Sequence, residues 1–180
     1  MDRERLKSLI RERALKVAEE PVFKLSSGKL SRYYIDLKQI TFDPEAVYLL
    51  GKTLYSAIKE LNPEGVGGLT LGADPIAYAV SLVSYLERNP IKPFVVRKEP
   101  KAHGTGRQVE GLLKEGDRVV VLEDVITTGA SAMKAVEACR REGYRVLCVY
   151  AVVDREEGGR EKLQAEGLEV YSLFKVSELL

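Results

Sequence analysis

The stretch Val119-Val120-Val121-Leu122-Glu123-Asp124-Val125-Ile126-Thr127-Thr128-Gly129-Ala130-Ser131 (VVVLEDVITTGAS, residues 119–131) decides the fold. Its first four residues are apolar without alternation, which suits a strand covered on both faces. Two acids, Glu123 and Asp124, end that strand. The small-residue turn Thr127–Ser131 then leads into helical spacing over Ser131–Glu142. Strand, turn and helix in this order form one unit of an α/β sheet.

The same rhythm continues on both sides. Strands are predicted at Val66–Thr70, Phe94–Arg97, Val119–Asp124, Val146–Asp154 and Val170–Phe174, and helices at Pro75–Arg88, Ser131–Glu142 and Glu156–Glu166. The run VLCVYAVV (residues 146–153) is again apolar on both faces. The fold implied is α/β and doubly wound: a mostly parallel central sheet with helices on both faces. The first forty or so residues stand outside that rhythm and form a small N-terminal hood. Within it, residues 3–20 read as one amphipathic helix with Leu6, Leu9, Ile10, Ala14 and Val17 on a face and Pro21 as its stop. Phe23–Leu25 and Tyr33–Leu37 read as short strands around a Ser-Ser-Gly turn. Asp43 caps the next helix, with Pro44 at its first position and Val47, Leu50, Leu54, Ile58 and Leu61 at helical spacing.

No repeat, low-complexity tract or linker interrupts the chain. One domain over residues 1–180 is expected: a hood at about 1–40, a core at about 41–180 and a mobile loop at about 98–110. The net charge of +1 excludes a global field that would draw the protein onto nucleic acid or a membrane. Any polyanion must be held by a local cluster. Cys139 and Cys148 form no CxxC and read as small buried hydrophobes in a reducing compartment. The charged start MDRERLKSLI has no apolar signal core, and no apolar run is long enough to span a bilayer, so a cytoplasmic protein is expected.

Ligands of such folds sit at the carboxyl ends of the strands. Four of these ends are polar or glycine-rich: Thr70–Asp74, Arg97–Lys101, Glu123–Gly129 and Asp154–Arg155. At residues 127–131 a small-residue turn opens a helix, so its free N–H groups and the helix dipole can bind a phosphate. Thr127, Thr128 and Ser131 add hydroxyls, and Gly129 permits close approach. The carboxylates of Glu123 and Asp124 can accept from a vicinal diol such as ribose 2′ and 3′ hydroxyls. Acid pair and cradle together describe a ribose 5-phosphate site. A bare TTG turn would be read as a helix cap beside two solvated acids; the full string argues against that. Neither a Walker loop nor a GxGxxG fingerprint is present.

A second cluster, RKEPKAHGTGR (residues 97–107), places Arg97, Lys98, Lys101 and Arg107 around the chain's only histidine, His103. Pro100, Gly104 and Gly106 favour a mobile loop, which can close over a polyanion and expel water. A solvated basic loop and a nucleic-acid contact are the alternatives; no interleaved aromatics support the latter. Arg155 ends a long buried strand, and its guanidinium fork matches a carboxylate. On spacing alone it is equally a surface residue opening a helix.

The 119–131 string resembles the 5-phosphoribosyl 1-diphosphate (PRPP) motif of the phosphoribosyltransferases. The Arg97-Lys98-x-x-Lys101-x-His103-Gly104 loop and the stretch Phe23–Asp36 resemble the orotate phosphoribosyltransferases in particular. The likeness covers nearly the whole chain. It implies transfer of ribose 5-phosphate from PRPP to orotate, giving orotidine 5′-monophosphate and pyrophosphate in pyrimidine biosynthesis. It further implies Mg²⁺ as a cofactor carried by PRPP near Asp124, with no dedicated protein cage. PRPP would be held by Glu123, Asp124, Val125, Ile126, Thr127, Thr128, Gly129, Ala130 and Ser131. Arg97, Lys98, Lys101 and His103 would meet the pyrophosphate from a partner chain, which makes a homodimer. Asp124, Lys101 and His103 would be catalytic, the latter two as proton donors to pyrophosphate. Tyr33, Tyr34, Thr127 and Arg155 would form the orotate pocket. The turn Gly67–Pro75 would give backbone groups to pyrophosphate, with Asp74 either near a metal-bound water or a plain helix cap. Where many members carry a lysine this chain has Ser26, with Lys24 or Lys29 as substitutes. A phosphoribosyltransferase for uracil or a purine, and a non-catalytic PRPP-sensing regulator, are the rival functions.

Overall fold

The computed structural model describes residues 1–25, 27–104 and 106–180. Strands β5 (Gly65–Leu69), β6 (Lys92–Val96), β7 (Val109–Gly111), β8 (Arg118–Ile126), β9 (Arg145–Asp154) and β10 (Val170–Lys175) form one sheet in the order β10-β9-β8-β5-β6-β7. All pairings are parallel except β6–β7. The mostly parallel sheet inferred from the unbroken apolar runs is therefore observed. The antiparallel edge strand β7 was not foreseen, because three residues after a polar loop carry no periodicity.

From β5 the chain moves outward to β6, then returns to β8 on the other side and proceeds to β9 and β10. The switch point lies between β5 and β8. Their connections leave in opposite directions, so a crevice opens at their carboxyl ends. β5 and β8 pair only over Gly65–Gly67 and Val119–Val121.

Helices cover both faces. On one side α3 (Pro44–Ile58) and α4 (Asp74–Leu86) bury Leu50, Leu54, Ile58, Ile76 and Val80 against Val66, Val120 and Val152. On the other, α5 (Ala130–Arg141) and α6 (Gly159–Ala165) bury Ala135, Val136 and Leu163 against Val119, Val121 and Val149. Each fully buried aliphatic side chain contributes roughly 1.5–3 kcal/mol. Asp43 Oδ1 accepts from the Ala46 N–H at 2.8 Å and caps α3 with Pro44 in its first turn, as its position predicts. Cys139 and Cys148 are buried free thiols in the two opposite core layers. Burial pushes both up to about 12, so neither carries reactive thiolate at neutral pH.

The hood differs from its sequence reading. The expected helix over 3–20 is α1 (Asp2–Leu9) followed by a π-helical turn at Ile10–Ala14. Leu15–Val17 then forms β1, antiparallel to β4 (Tyr33–Ile35). The amphipathic pattern holds for Leu6, Leu9, Ile10 and Ala14, which are buried, but Val17 is exposed. Cross-strand pairing with the Tyr33–Ile35 backbone outweighs helix propensity there. The small hairpin forms between β2 (Phe23–Lys24) and β3 (Leu30–Ser31), not between Phe23–Leu25 and Tyr33–Leu37 as expected, because Tyr33–Ile35 is taken by β1; α2 (Lys38–Thr41) links hood to core. Ile35, Leu37 and Ile40 join the α3–α4 core layer, so the hood is anchored to the core.

A Cβ at Gly68 would meet the Leu122 carbonyl oxygen and the Ala73 side chain, both fixed by sheet and helix. Gly68→Ala is therefore expected to lower unfolding free energy by at least about 2 kcal/mol, read as a shifted denaturation midpoint with an unchanged slope. A midpoint within error of the wild type would contradict this packing.

Candidate active site

Glu123 and Asp124 stand on the last turn of β8, at the crevice. Glu123 is buried, and its Oε1 accepts from the Asp124 N–H at 3.2 Å. Burial, then the hydrogen bond and charge of Asp124, push its carboxyl well above the usual carboxylate range. Asp124 Oδ1 accepts from the Val125 N–H at 2.8 Å.

Beyond them Glu123–Ser131 line a polar cleft of about 180 Å³ that opens at the N-terminus of α5. Gly129 holds φ +83 as the residue preceding that helix, a left-handed conformation that favours glycine. Thr128 Oγ accepts from the Ala130 N–H at 3.3 Å. A Cβ on Gly159 would lie 2.5 Å from the Thr127 carbonyl oxygen. The Thr127–Ser131 turn thus rests on the Gly158–Gly159 start of α6, a support that sequence reading missed. The doubled glycine is its only signal.

The turn after β5 closes the crevice from the other side. A Cβ on Gly72 would lie 2.6 Å from Asp124 Oδ2, so a larger residue there would push the carboxylate aside. Thr70 Oγ donates to Asp74 Oδ2 at 2.5 Å, while Asp74 Oδ1 is buried with no partner among the described residues. Burial raises the Asp74 carboxyl above its ordinary value, against the Thr70 bond. A small adjoining cavity is lined by Lys38, Thr41, Leu71, Gly72 and Asp124 among others. Lys38 was not singled out from sequence, where it is one lysine in a helix start.

Arg155 follows β9 in a loop, since α6 begins only at Gly159 rather than at Glu156. Its side chain is 4% exposed, which overturns the surface-residue alternative. The guanidinium lies 4.3 Å from the centre of the Tyr33 ring and donates to Ser31 Oγ at 3.3 Å. Tyr33 OH donates to the Arg155 carbonyl at 3.4 Å. Tyr34 points to the other side of the strand, is 40% exposed and stacks on Phe23 at 6.2 Å. The structure therefore packs Tyr33 on Arg155 and sets Tyr34 apart from it, while Thr127 alone of these residues lines the cleft. Ser26 lies outside the described residues.

The basic loop extends from β6 to β7 and is tied at its base, where the Arg97 N–H donates to Gln108 O at 2.8 Å. Arg97 and Lys101 approach Glu110 at 3.6 and 3.5 Å. Lys98, Lys101 and His103 are exposed, and none of them lines the cleft at Glu123–Ser131.

An acid pair beside a phosphate cradle, set in a switch-point crevice, belongs to proteins that handle phosphoribosyl groups. No protein-family model matches the chain. It is 69% identical to an orotate phosphoribosyltransferase of Aquifex aeolicus, covering 100% of this chain and 98% of that one. Orotate phosphoribosyltransferase of Mycobacterium tuberculosis H37Rv, solved with Fe(III) dicitrate, superimposes with a TM-score of 0.86 at 41% identity over 99% of both chains. The same protein in complex with PRPP gives 0.81 at 38% identity, again over 99% of both. The chain belongs to the orotate phosphoribosyltransferase family, a family of pentosyltransferases.

Glu123 is costly to the fold. Its proton is lost less readily in the folded protein than in the unfolded chain. Its contribution is therefore fully present below the ordinary glutamate range and is lost as pH rises through the raised folded value. Glu123→Gln is expected to raise Tm at neutral pH, with a smaller gain at pH 4, and to weaken PRPP binding. A Tm gain that does not grow with pH would contradict the burial cost.

Proposed function

We propose that this crevice transfers ribose 5-phosphate from PRPP to orotate, with each group held by a separate element. The reading is carried by an acid pair and a small-residue turn that line one cleft, beside a neighbouring strand end that carries a buried arginine facing the hood. Thr127–Ser131 fix the 5′-phosphate through N–H and hydroxyl donors. Glu123 and Asp124 take the ribose diol and place negative charge beneath the cation that develops at C1. Arg155 pairs with the orotate carboxylate in a fork and, with Tyr33, orients the ring so that its nitrogen meets C1. Tyr34 shapes the outer side of the hood strand. The C1–oxygen bond breaks as the C1–nitrogen bond forms, and the electron pair leaves on pyrophosphate. Lys101 or His103 supplies a proton to that leaving group.

Asp124 gives hard carboxylate oxygens at the crevice, the donor type that suits Mg²⁺ alongside substrate oxygens and water. Among the described residues no three His, Cys, Asp or Glu side chains form a cage. When bound, Mg²⁺ neutralises charge on the diphosphate.

The chain acts as a homodimer in this reading, with Arg97, Lys98, Lys101 and His103 reaching the partner's crevice. Two features support it. The loop cations are exposed and do not line their own cleft. The α3–α4 surface carries a groove of about 540 Å³ lined by Tyr48, Tyr78, Leu82, Tyr85 and Leu86. Tyr85 and Leu86 are each 73% exposed, an apolar patch that a second copy would cover. The reduced, buried cysteines fit a cytoplasmic setting, and no helix among the described residues is long and apolar enough to cross a membrane.

Lys101→Ala and Asp124→Asn are each expected to lower turnover at least about a hundredfold with the fold intact. Mixed and re-equilibrated, the two variants should recover about a quarter of wild-type activity, because half the dimers then hold one complete site. No recovery, with mixed dimers confirmed by mass, would place the loop in its own crevice. Undiminished turnover of Lys101→Ala would remove its role.

A further inference from the structure

The guanidinium of Arg155 is already held by a carboxylate of its own chain. Its Nε and Nη2 both donate to Glu157 Oε1, at 3.0 and 2.9 Å, while Nη2 also reaches Ser31 Oγ. The two partners differ in burial: the Arg155 side chain is 4% exposed and that of Glu157 is 30% exposed. The loop between β9 and α6 sets this arrangement. Asp154 Oδ1 accepts from the Glu156 N–H at 2.8 Å, Glu156 takes φ +58, and Gly158 takes φ +91. Glu157 therefore meets the arginine from the solvent side of a turn, and it can leave without moving a strand or helix.

We propose that Glu157 is a specificity-determining residue that competes with the base carboxylate for Arg155. This rests on the reading of Arg155 given above. A buried guanidinium without a counter-charge is strongly destabilising, and Glu157 supplies that charge. The orotate carboxylate presents the same chemistry as Glu157. On arrival it either displaces Glu157 to solvent or shares the fork, which brings two like charges onto one cation. In both cases part of its binding energy is spent against Glu157. A base without a carboxylate leaves the Arg155–Glu157 pair closed and gains nothing from the arginine. The pair thus filters bases by charge and holds orotate affinity below what the open fork would give.

The test is a set of initial-rate KM values for orotate and for PRPP. The proteins are the wild type, Glu157→Gln, Arg155→Met and the double variant, each first shown to be folded by thermal melting. Glu157→Gln keeps the size of the side chain and removes its charge. It is expected to lower the orotate KM about threefold or more, the range of a partly exposed ion pair, while the PRPP KM stays in place. In the Arg155→Met background the same change should have no effect. A rise or no change in orotate KM for Glu157→Gln, with Arg155→Met strongly impaired for orotate, overturns the competition and leaves Glu157 as a residue that only steadies the guanidinium. An orotate KM unaffected by Arg155→Met defeats the underlying reading of Arg155 and the proposal with it. Should Arg155→Met not fold, Arg155→Lys replaces it, since lysine keeps the charge without the fork.

Discussion

Between β5 and β8 the chain leaves the sheet in opposite directions, so no connecting helix can cover the carboxyl ends of these two strands. Everything in the site follows from that gap. The acid pair comes from the end of β8, the cradle from the turn behind it, and the Thr70–Asp74 turn from the end of β5. Arg155 comes from the end of β9 next door. The hood, packed onto α3 and α4 through Ile35, Leu37 and Ile40, sets Tyr33 over the arginine. Glycines at 68, 72 and 159 are the positions where backbones or acids come too close for a Cβ. They tie the walls of the crevice together.

The crevice concentrates features that a stable core would avoid. Glu123 is buried beside another acid, Asp74 keeps one oxygen without a partner, and Arg155 is buried with a partly exposed counter-ion. Each opposes folding or is costly to leave unpaired. The two apolar layers on either side of the sheet offset these costs. Pre-organised charge of this kind is useful where charge develops during reaction, because little reorganisation is then needed.

Much of this was legible in the sequence. Unbroken runs such as VVVL and VLCVYAVV showed central parallel strands, and EDVITTGAS showed two acids followed by a small-residue turn into a helix. Strand order was not legible, because periodicity reports burial and not neighbours; the switch point therefore appeared only in the structure. The hood was misread at Leu15–Val17, where pairing with Tyr33–Ile35 replaced a helix. Spacing left Arg155 undecided, and its burial removes the surface-residue alternative. The Glu157 contact and the seat of the cradle on Gly159 are long-range or loop geometry with no periodic trace.

In the reaction proposed for this crevice a carboxylate-bearing pyrimidine is joined to the phosphoribosyl group of PRPP. That reaction is tested by following base consumption by absorbance and pyrophosphate release together. Orotate, uracil and adenine are supplied in parallel with PRPP and Mg²⁺. Mg²⁺-dependent loss of orotate is expected, with one pyrophosphate released per base and little turnover of the other two. Turnover of uracil or adenine at the rate of orotate, or PRPP binding with no turnover of any base, would contradict it.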